Sequence, residues 1–242
     1  MIYLIFSLAS FVQALGGFGA GLFAVPLLAM SYEPRFIIPP FALTVFVLNL
    51  VIISKVKNNV NCKRIIFIAA GSFAGLPFGV FALKYVNQDV IRFSISLITF
   101  VLGLLFLFGL KPKIKESKTT FIISGIVSGI LSGAAAMGGP PLIFILMSMG
   151  FPKDNFRATL LGCFLFNGIY ANTLYFVNGL FSLSNLRISL LGLVPALAGT
   201  ILGIKTKNML TEEQFNRATL IIVIIIGIIG IIRALCLLKT CF

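Results

Sequence analysis

The sequence predicts an all-α protein that crosses a membrane several times. Of its 242 residues, 59% are hydrophobic and only 10% are charged, against about 25% charged residues in an average soluble protein. The mean hydropathy is +1.12. The charges occur in short patches between apolar runs of roughly 18–25 residues, each long enough for a helix to cross a hydrocarbon core about 30 Å thick. These observations exclude a soluble globular domain and predict a polytopic membrane protein.

Charges and turn residues divide the chain into about eight hydrophobic segments. A lipid-facing helix is apolar all round, so helical periodicity does not refine the limits. The predicted segments are 2–31, 36–54, 65–84, 90–110, 119–150, 156–177, 186–204 and 215–238.

Matching residues in the two halves predict an internal duplication. Pro26 corresponds to Pro141 at an offset of 115, and Asn49 corresponds to Asn167 at an offset of 118. The offset grows along the chain, as small insertions in loops would produce. We therefore expect a first transmembrane repeat at 1–110, a basic cytoplasmic linker at 111–118 and a second repeat at 119–242, each repeat with four segments.

The first segment of each repeat is interrupted by glycine and proline. The interruptions lie in QALGGFGAGLFAVPLLAM, residues 13–30, and AAAMGGPPLIFILMSMG, residues 134–150. Such a segment either crosses the membrane with a break or re-enters and returns to the same side. If all eight segments cross, the inside loops and ends collect 11 basic residues and the outside 8; if both broken segments return, the numbers are 13 and 6. The positive-inside rule favours the second arrangement, which makes the two halves inverted repeats.

The two breaks predict a substrate site. Non-helical backbone at membrane depth is tolerated where protein or a water-filled cavity satisfies its polar groups. Proline suits the first turn of a half-helix, and the N-terminus of a helix attracts anions. The predicted substrate-binding residues are those of the breaks and three polar side chains nearby: Gln13, Gly16, Gly17, Gly19, Gly21, Pro26, Asn49, Gly138, Gly139, Pro140, Pro141 and Asn167.

Close helix packing is the alternative explanation for glycine in a membrane helix. We prefer it for the spaced glycines outside the breaks, which are Gly75, Gly79, Gly125, Gly129, Gly133, Gly199 and Gly203. For the paired breaks we prefer the site. For Asn49 and Asn167, interhelical hydrogen bonding is an alternative to substrate binding that we weight equally.

The motifs GGFGAGLFAVPLL and AAAMGGPPLIFIL, each opening a four-segment half, resemble the TauE/SafE family of sulfite exporters, and the resemblance covers essentially the whole chain. It implies a transporter of small sulfur-containing anions such as sulfite, thiosulfate, sulfoacetate or sulfonates in the plasma (inner) membrane. Alternating access at a midplane site is the expected mechanism. Another small organic anion, a neutral metabolite or an anion channel stays open as an alternative.

Residue inventory restricts the other function classes. The chain has no histidine, and its six acidic residues fall in loops or at segment edges. We therefore expect no enzyme, no catalytic residue, no metal and no cofactor. The net charge of +13 lies in short loops, which predicts no nucleic-acid partner. The expected partners are the lipid bilayer and a small anion, with homo-oligomerisation left open.

Overall fold

The chain is all-helical in the parts that its computed structural model describes, which are residues 1–16, 19–53, 62–109, 114–149, 153–206 and 212–240. These parts contain ten helices and no strand: α1 Ile2–Gly16, α2 Ala20–Ser31, α3 Pro34–Ile53, α4 Cys62–Tyr85, α5 Gln88–Leu107, α6 Lys118–Ala135, α7 Gly139–Ser148, α8 Lys153–Val177, α9 Leu183–Thr206 and α10 Glu212–Thr240.

The structure confirms a polytopic all-α membrane protein. Each of the two broken segments consists of two helices, α1 with α2 and α6 with α7. The six unbroken segments begin and end within three residues of their predicted limits. Within the described residues, seven helices are long and apolar enough to cross a membrane, namely α3, α4, α5, α6, α8, α9 and α10.

Hydrophobic packing shows that α7 returns toward the start of α6. Leu142 and Leu146 of α7 belong to the same buried cluster as Phe121, near the beginning of α6, and Ile68, near the beginning of α4. An ion pair of 2.7 Å between Arg64 and Glu116 joins the same two beginnings. The α6–α7 hairpin therefore starts and ends at the face where α4 begins, which we call the basic face because Lys63, Arg64, Lys115 and Lys118 lie there.

The α1–α2 hairpin starts and ends at the opposite face. The contacts of Phe6 with Gly192 and of Phe11 with Gly203 show that α1 runs parallel to α9. Since α9 begins at the opposite face, α1 begins there as well. At the end of α2, the carbonyl of Ala29 accepts a hydrogen bond of 3.0 Å from Arg92 in the first turns of α5. This arrangement favours two re-entrant hairpins entering from opposite faces. The duplication and the limits of its repeats stay predictions.

Each hairpin packs on a helix of the other half of the chain. Helix α6 lies along α4, and α1 lies along α9. In α4, Gly71, Gly75 and Gly79 face backbone atoms of α6, and glycines of α6 at the same four-residue spacing face backbone atoms of α4. This small-xxx-small contact lets two backbones approach closely. It confirms the packing role predicted for Gly75, Gly79, Gly125, Gly129 and Gly133, and Gly71 packs in the same way.

Candidate functional site

Both helix breaks open into one internal cavity of about 90 Å³. A single water needs about 10–15 Å³ by this measure, so the cavity has room for a small oxyanion. Its walls come from both halves of the chain: Gln13, Gly19, Ala20, Gly21, Leu22, Ala42, Val45, Phe46, Asn49, Ser132, Ala136, Met137, Gly138, Gly139, Pro140, Phe164, Asn167, Gly168 and Ala171.

Eight of the twelve predicted site residues line this cavity, namely Gln13, Gly19, Gly21, Asn49, Gly138, Gly139, Pro140 and Asn167. Pro26 lies in the interior of α2 and is buried in its packing. Pro141 is in the first turn of α7 but is not among the lining residues. Gly16 is the last residue of α1, and Gly17 lies outside the described residues. Because Gly138 and Gly139 line the cavity and Pro26 does not, the two glycines would lie closer to a bound ligand.

Helix α7 starts at the cavity in the way its sequence predicts. Gly138 is the N-cap, Gly139 is the first helical residue, and the prolines follow directly in the first turn. The first four N–H groups of a helix have no partner within the helix, and proline has none to offer. Helix α7 therefore presents two such donors to the cavity region, from Gly138 and Gly139.

Helix α2 offers a fuller set of donors. Its N-cap Gly19 has φ 103°, a left-handed conformation that favours glycine. The N–H of Phe23 donates to the carbonyl of Gly19 at 2.9 Å, which closes the first helical turn. The N–H groups of Gly19, Ala20, Gly21 and Leu22 come before that bond, and all four residues line the cavity. The first break thus contributes more backbone donors than the second.

The two breaks touch each other at Gly21. A Cβ atom at this position would lie 2.5 Å from the carbonyl oxygen of Ala136. Ala136 caps the end of α6 in a left-handed conformation with φ 51°. Only glycine at position 21 therefore allows the start of α2 to lie against the turn between α6 and α7.

Hydrogen bonds occupy carbonyl oxygens in the last turn of α6, beside the cavity. The N–H groups of Ala136 and Met137 donate to the carbonyls of Ser132 and Leu131 at 2.9 and 3.1 Å. The phenol of the buried Tyr175 bonds to the carbonyl of Ser132 at 3.0 Å. Occupying these oxygens reduces the negative potential that a helix C-terminus would otherwise direct toward an anion.

Polar side chains from both halves complete the walls. In the first half, Gln13 Nε2 donates to Asn49 Oδ1 at 2.7 Å. In the second half, Asn167 Nδ2 donates to the hydroxyls of Ser128 and Ser132 at 3.1 and 3.2 Å. The interhelical bonding considered for the asparagines is therefore present, and it holds both side chains at the cavity wall.

Sequence reasoning missed the serines of α6. The offset of 115 that relates Pro26 to Pro141 also relates Gln13 to Ser128, a signal that could have found Ser128. Ser128 Oγ donates to the carbonyl of Gly138 at 2.7 Å and so anchors the second break. Phe164, whose ring faces Gly139, carries no comparable signal.

The electrostatics of the cavity come from neutral dipoles. None of the described residues that line the cavity carries a charge, and among the described residues no three His, Cys, Asp or Glu side chains come together as metal ligands. Two helix N-termini, each equivalent to about half a positive charge, converge on a site with a low local dielectric constant. Such a site can bind a small anion through backbone N–H groups.

Comparison with known proteins identifies the family of the chain. A protein of Cupriavidus necator named as a probable sulfite/organosulfonate exporter TauE is 26% identical over 150 residues, which cover 56% of this chain and 55% of that relative. The chain thus matches about half the length of this curated relative. No solved structure matches the chain significantly. The family model described as sulfite exporter TauE/SafE matches residues 2–229, and the chain therefore belongs to the TauE/SafE family of exporters.

Proposed function

We propose that this protein exports a small sulfur-containing oxyanion, of the sulfite, thiosulfate, sulfoacetate or sulfonate class, across the plasma membrane. The observation that carries the proposal is the convergence of two helix N-termini, one from each half of the chain, on a cavity without charged side chains. Membership of the exporter family and the name of the C. necator relative support the substrate class.

Backbone N–H groups would bind the anion. In surroundings of low dielectric constant, hydrogen bonds to a charged oxygen are stronger than at a surface. Gly19, Gly21, Gly138 and Gly139 lack side chains that would keep the ligand away from the backbone. Asn49 and Asn167 would orient it from the facing helices α3 and α8.

The membrane potential would drive export. We place the basic face in the cytoplasm, following the positive-inside rule. A monovalent anion leaving an inside-negative cell gains roughly 2.3 kcal/mol per 100 mV, about a fiftyfold concentration ratio. Export therefore needs no coupled ion, whereas uptake of the same anion would have to overcome this energy.

Alternating access would expose the site to each face in turn. Hairpins that enter from opposite faces and end at one central site are typical of secondary transporters with inverted repeats. In such proteins one part of the bundle rocks against the other around the binding site. Here the hairpins α1–α2 and α6–α7 would contribute equivalent halves of that site.

Transport by the purified protein in liposomes tests the proposal. We expect saturable efflux of sulfite, accelerated by sulfite on the opposite side, as a carrier requires. Efflux that rises linearly without saturation would indicate a channel, and the absence of flux of every sulfur anion tried would refute the proposal.

A variant pair connects the transport to the site. In Gly139→Val the new side chain would press on the ring of Phe164, which lies 3.1 Å from the ideal Cβ position, and fill the cavity. We expect this change to abolish transport. Gly162→Val is the matched control, because Gly162 in α8 faces the flexible side chain of Ile65 and does not line the cavity. Equal transport by both variants would place the site elsewhere.

A further inference from the structure

Two buried side-chain oxygens at the cavity have no hydrogen-bond partner. They are Oε1 of Gln13 and Oδ1 of Asn167, on residues that are only 3% and 4% exposed. Both residues line the cavity. Buried polar atoms almost always have a partner, and leaving one without a partner is costly. A ligand that brings hydrogen-bond donors would satisfy them.

The neighbouring serine fixes the orientation of the Asn167 amide. The hydroxyl of Ser128 has one hydrogen and donates it to the carbonyl of Gly138 at 2.7 Å. Toward Asn167 this hydroxyl can therefore only accept, so the amide nitrogen must face it, as observed at 3.1 Å. Turning the amide over would bring two acceptors together. The hydrogen-bond network itself thus leaves the oxygen of Asn167, a residue of the cavity wall, without a donor.

The cavity consequently combines donors and acceptors. The N–H groups at the starts of α2 and α7 suit negatively charged oxygens, while the oxygens of Gln13 and Asn167 require a donor. In the part of the lining that the structure describes, no side chain is positively charged, so a second negative charge would find no counter-charge there.

We propose that the site selects a singly charged oxyanion that itself carries a hydrogen-bond donor. For sulfite this is hydrogen sulfite and not the dianion; among sulfonates it is a member with an O–H or N–H group beside the sulfonate. The inference rests on the proposed function and specifies the form of its substrate.

A bound cation is the competing explanation for two unpaired oxygens. Hard cations such as Ca²⁺ and Mg²⁺ take about six or more oxygen ligands, and two neutral oxygens beside two helix N-termini provide a poor match. One O–H or N–H on the anion satisfies one of these oxygens, and two N–H groups satisfy both, without adding positive charge to the site.

Sulfamate and methanesulfonate provide the test. The two ions are similar in size and singly charged, but sulfamate has N–H groups where methanesulfonate has a methyl group. Their dissociation constants are measured by calorimetry on the purified full-length chain, with sulfite titrated alongside. We expect sulfamate to bind about tenfold more tightly, because methanesulfonate lacks the donor and leaves a buried acceptor unpaired. Equal binding of the two ions would overturn the inference, as would sodium-dependent binding without a preference for sulfamate.

Variants assign the preference to the two oxygens. Asn167→Leu is expected to lower the ratio of the two dissociation constants to about one, and Gln13→Leu provides a second, independent test in the other half. Asn172→Leu is the matched control, because Asn172 also carries a buried unpaired Oδ1 but does not line the cavity. A preference that persists in both cavity variants would refute the assignment.

The outcomes separate this inference from the proposed function. If sulfite, sulfamate and methanesulfonate all bind with similar affinity, the anion site stands and the donor requirement fails. If none of the three binds, the proposed function fails as well.

Discussion

Replacing Gly21 with alanine should separate the two helix ends that form the anion site. The added Cβ would lie 2.5 Å from the carbonyl oxygen of Ala136, about 0.9 Å closer than ordinary van der Waals contact. Both partners of this contact are backbone, so no side chain can rotate away. We expect α2 to move by about 1 Å relative to the turn between α6 and α7.

Two effects of different size follow from this shift. Overpacking of this kind costs about 1–3 kcal/mol, which lowers the Tm of a chain of this length by roughly 2–12 °C. A shift of about 1 Å also takes a hydrogen bond of about 2.9 Å beyond the accepted range. Losing one such bond to an anion costs about 1.5–3 kcal/mol, so we expect at least a tenfold loss of sulfite affinity.

Thermal unfolding with and without ligand measures both effects. Sulfite at 100 times its wild-type Kd stabilises the wild-type chain by about 2.7 kcal/mol, and a tenfold weaker variant at the same concentration by about 1.4 kcal/mol. The ligand-induced rise in Tm should therefore fall by about half in Gly21→Ala.

Gly227→Ala is the control for this experiment. Its Cβ would come within 3.0 Å of the Phe100 backbone, in the α5–α10 contact, which contributes no residue to the cavity. We expect it to lower the Tm and to keep the full ligand-induced rise. An undiminished rise in Gly21→Ala would show that the contact between the two breaks does not position the site.

The remaining predictions concern stability and topology. Tyr175→Phe removes a buried hydroxyl that bonds to two carbonyls at the end of α6 and should lower the free energy of unfolding by about 1–2 kcal/mol, measured by thermal or denaturant unfolding; an unchanged stability would contradict this role. Gly75→Leu places a side chain against the backbone of α6 and should prevent stable folding, which size-exclusion chromatography would detect as aggregation in place of a monodisperse peak. In a cysteine-free background, Lys118→Cys and Met149→Cys, at the two ends of the α6–α7 hairpin, should react with an impermeant thiol reagent from the cytoplasmic side and Ser182→Cys from the other side; labelling of the two hairpin ends from opposite sides would refute the re-entrant arrangement.

The sequence was sufficient for the number and limits of the helices because lipid imposes a simple rule on them. A spanning helix must be long and apolar, and charges or turn residues end it. Pro140 and Pro141 located the start of α7 because a proline pair suits the first turn of a helix. In the first break no proline marks the start of α2, because α2 begins at Ala20 and Pro26 lies in its interior. Only the glycines indicated where the first helix ends and the second begins.

The walls of the cavity were harder to predict because they depend on contacts distant in sequence. Gln13 and Asn49 are 36 residues apart, and Ser128 and Asn167 are 39 apart. A polar residue in an apolar segment can bond to a neighbouring helix or face a ligand, and its type does not distinguish the two. Here the hydrogen-bond partners show that the amide nitrogen of Asn167 bonds to α6, whereas its amide oxygen has no partner.

The exchange of hairpins between the halves has a consequence for biogenesis. Helix α1 is synthesised well before the helix it packs along, α9, which begins at Leu183. The glycines of α4 that contact α6 are likewise synthesised before α6. During synthesis the inserted first half therefore holds a short, broken hairpin whose neighbouring helix, α9, has not yet been made. Insertion factors would have to shelter this hairpin until the last third of the chain arrives, and two halves made as separate chains should need each other to mature.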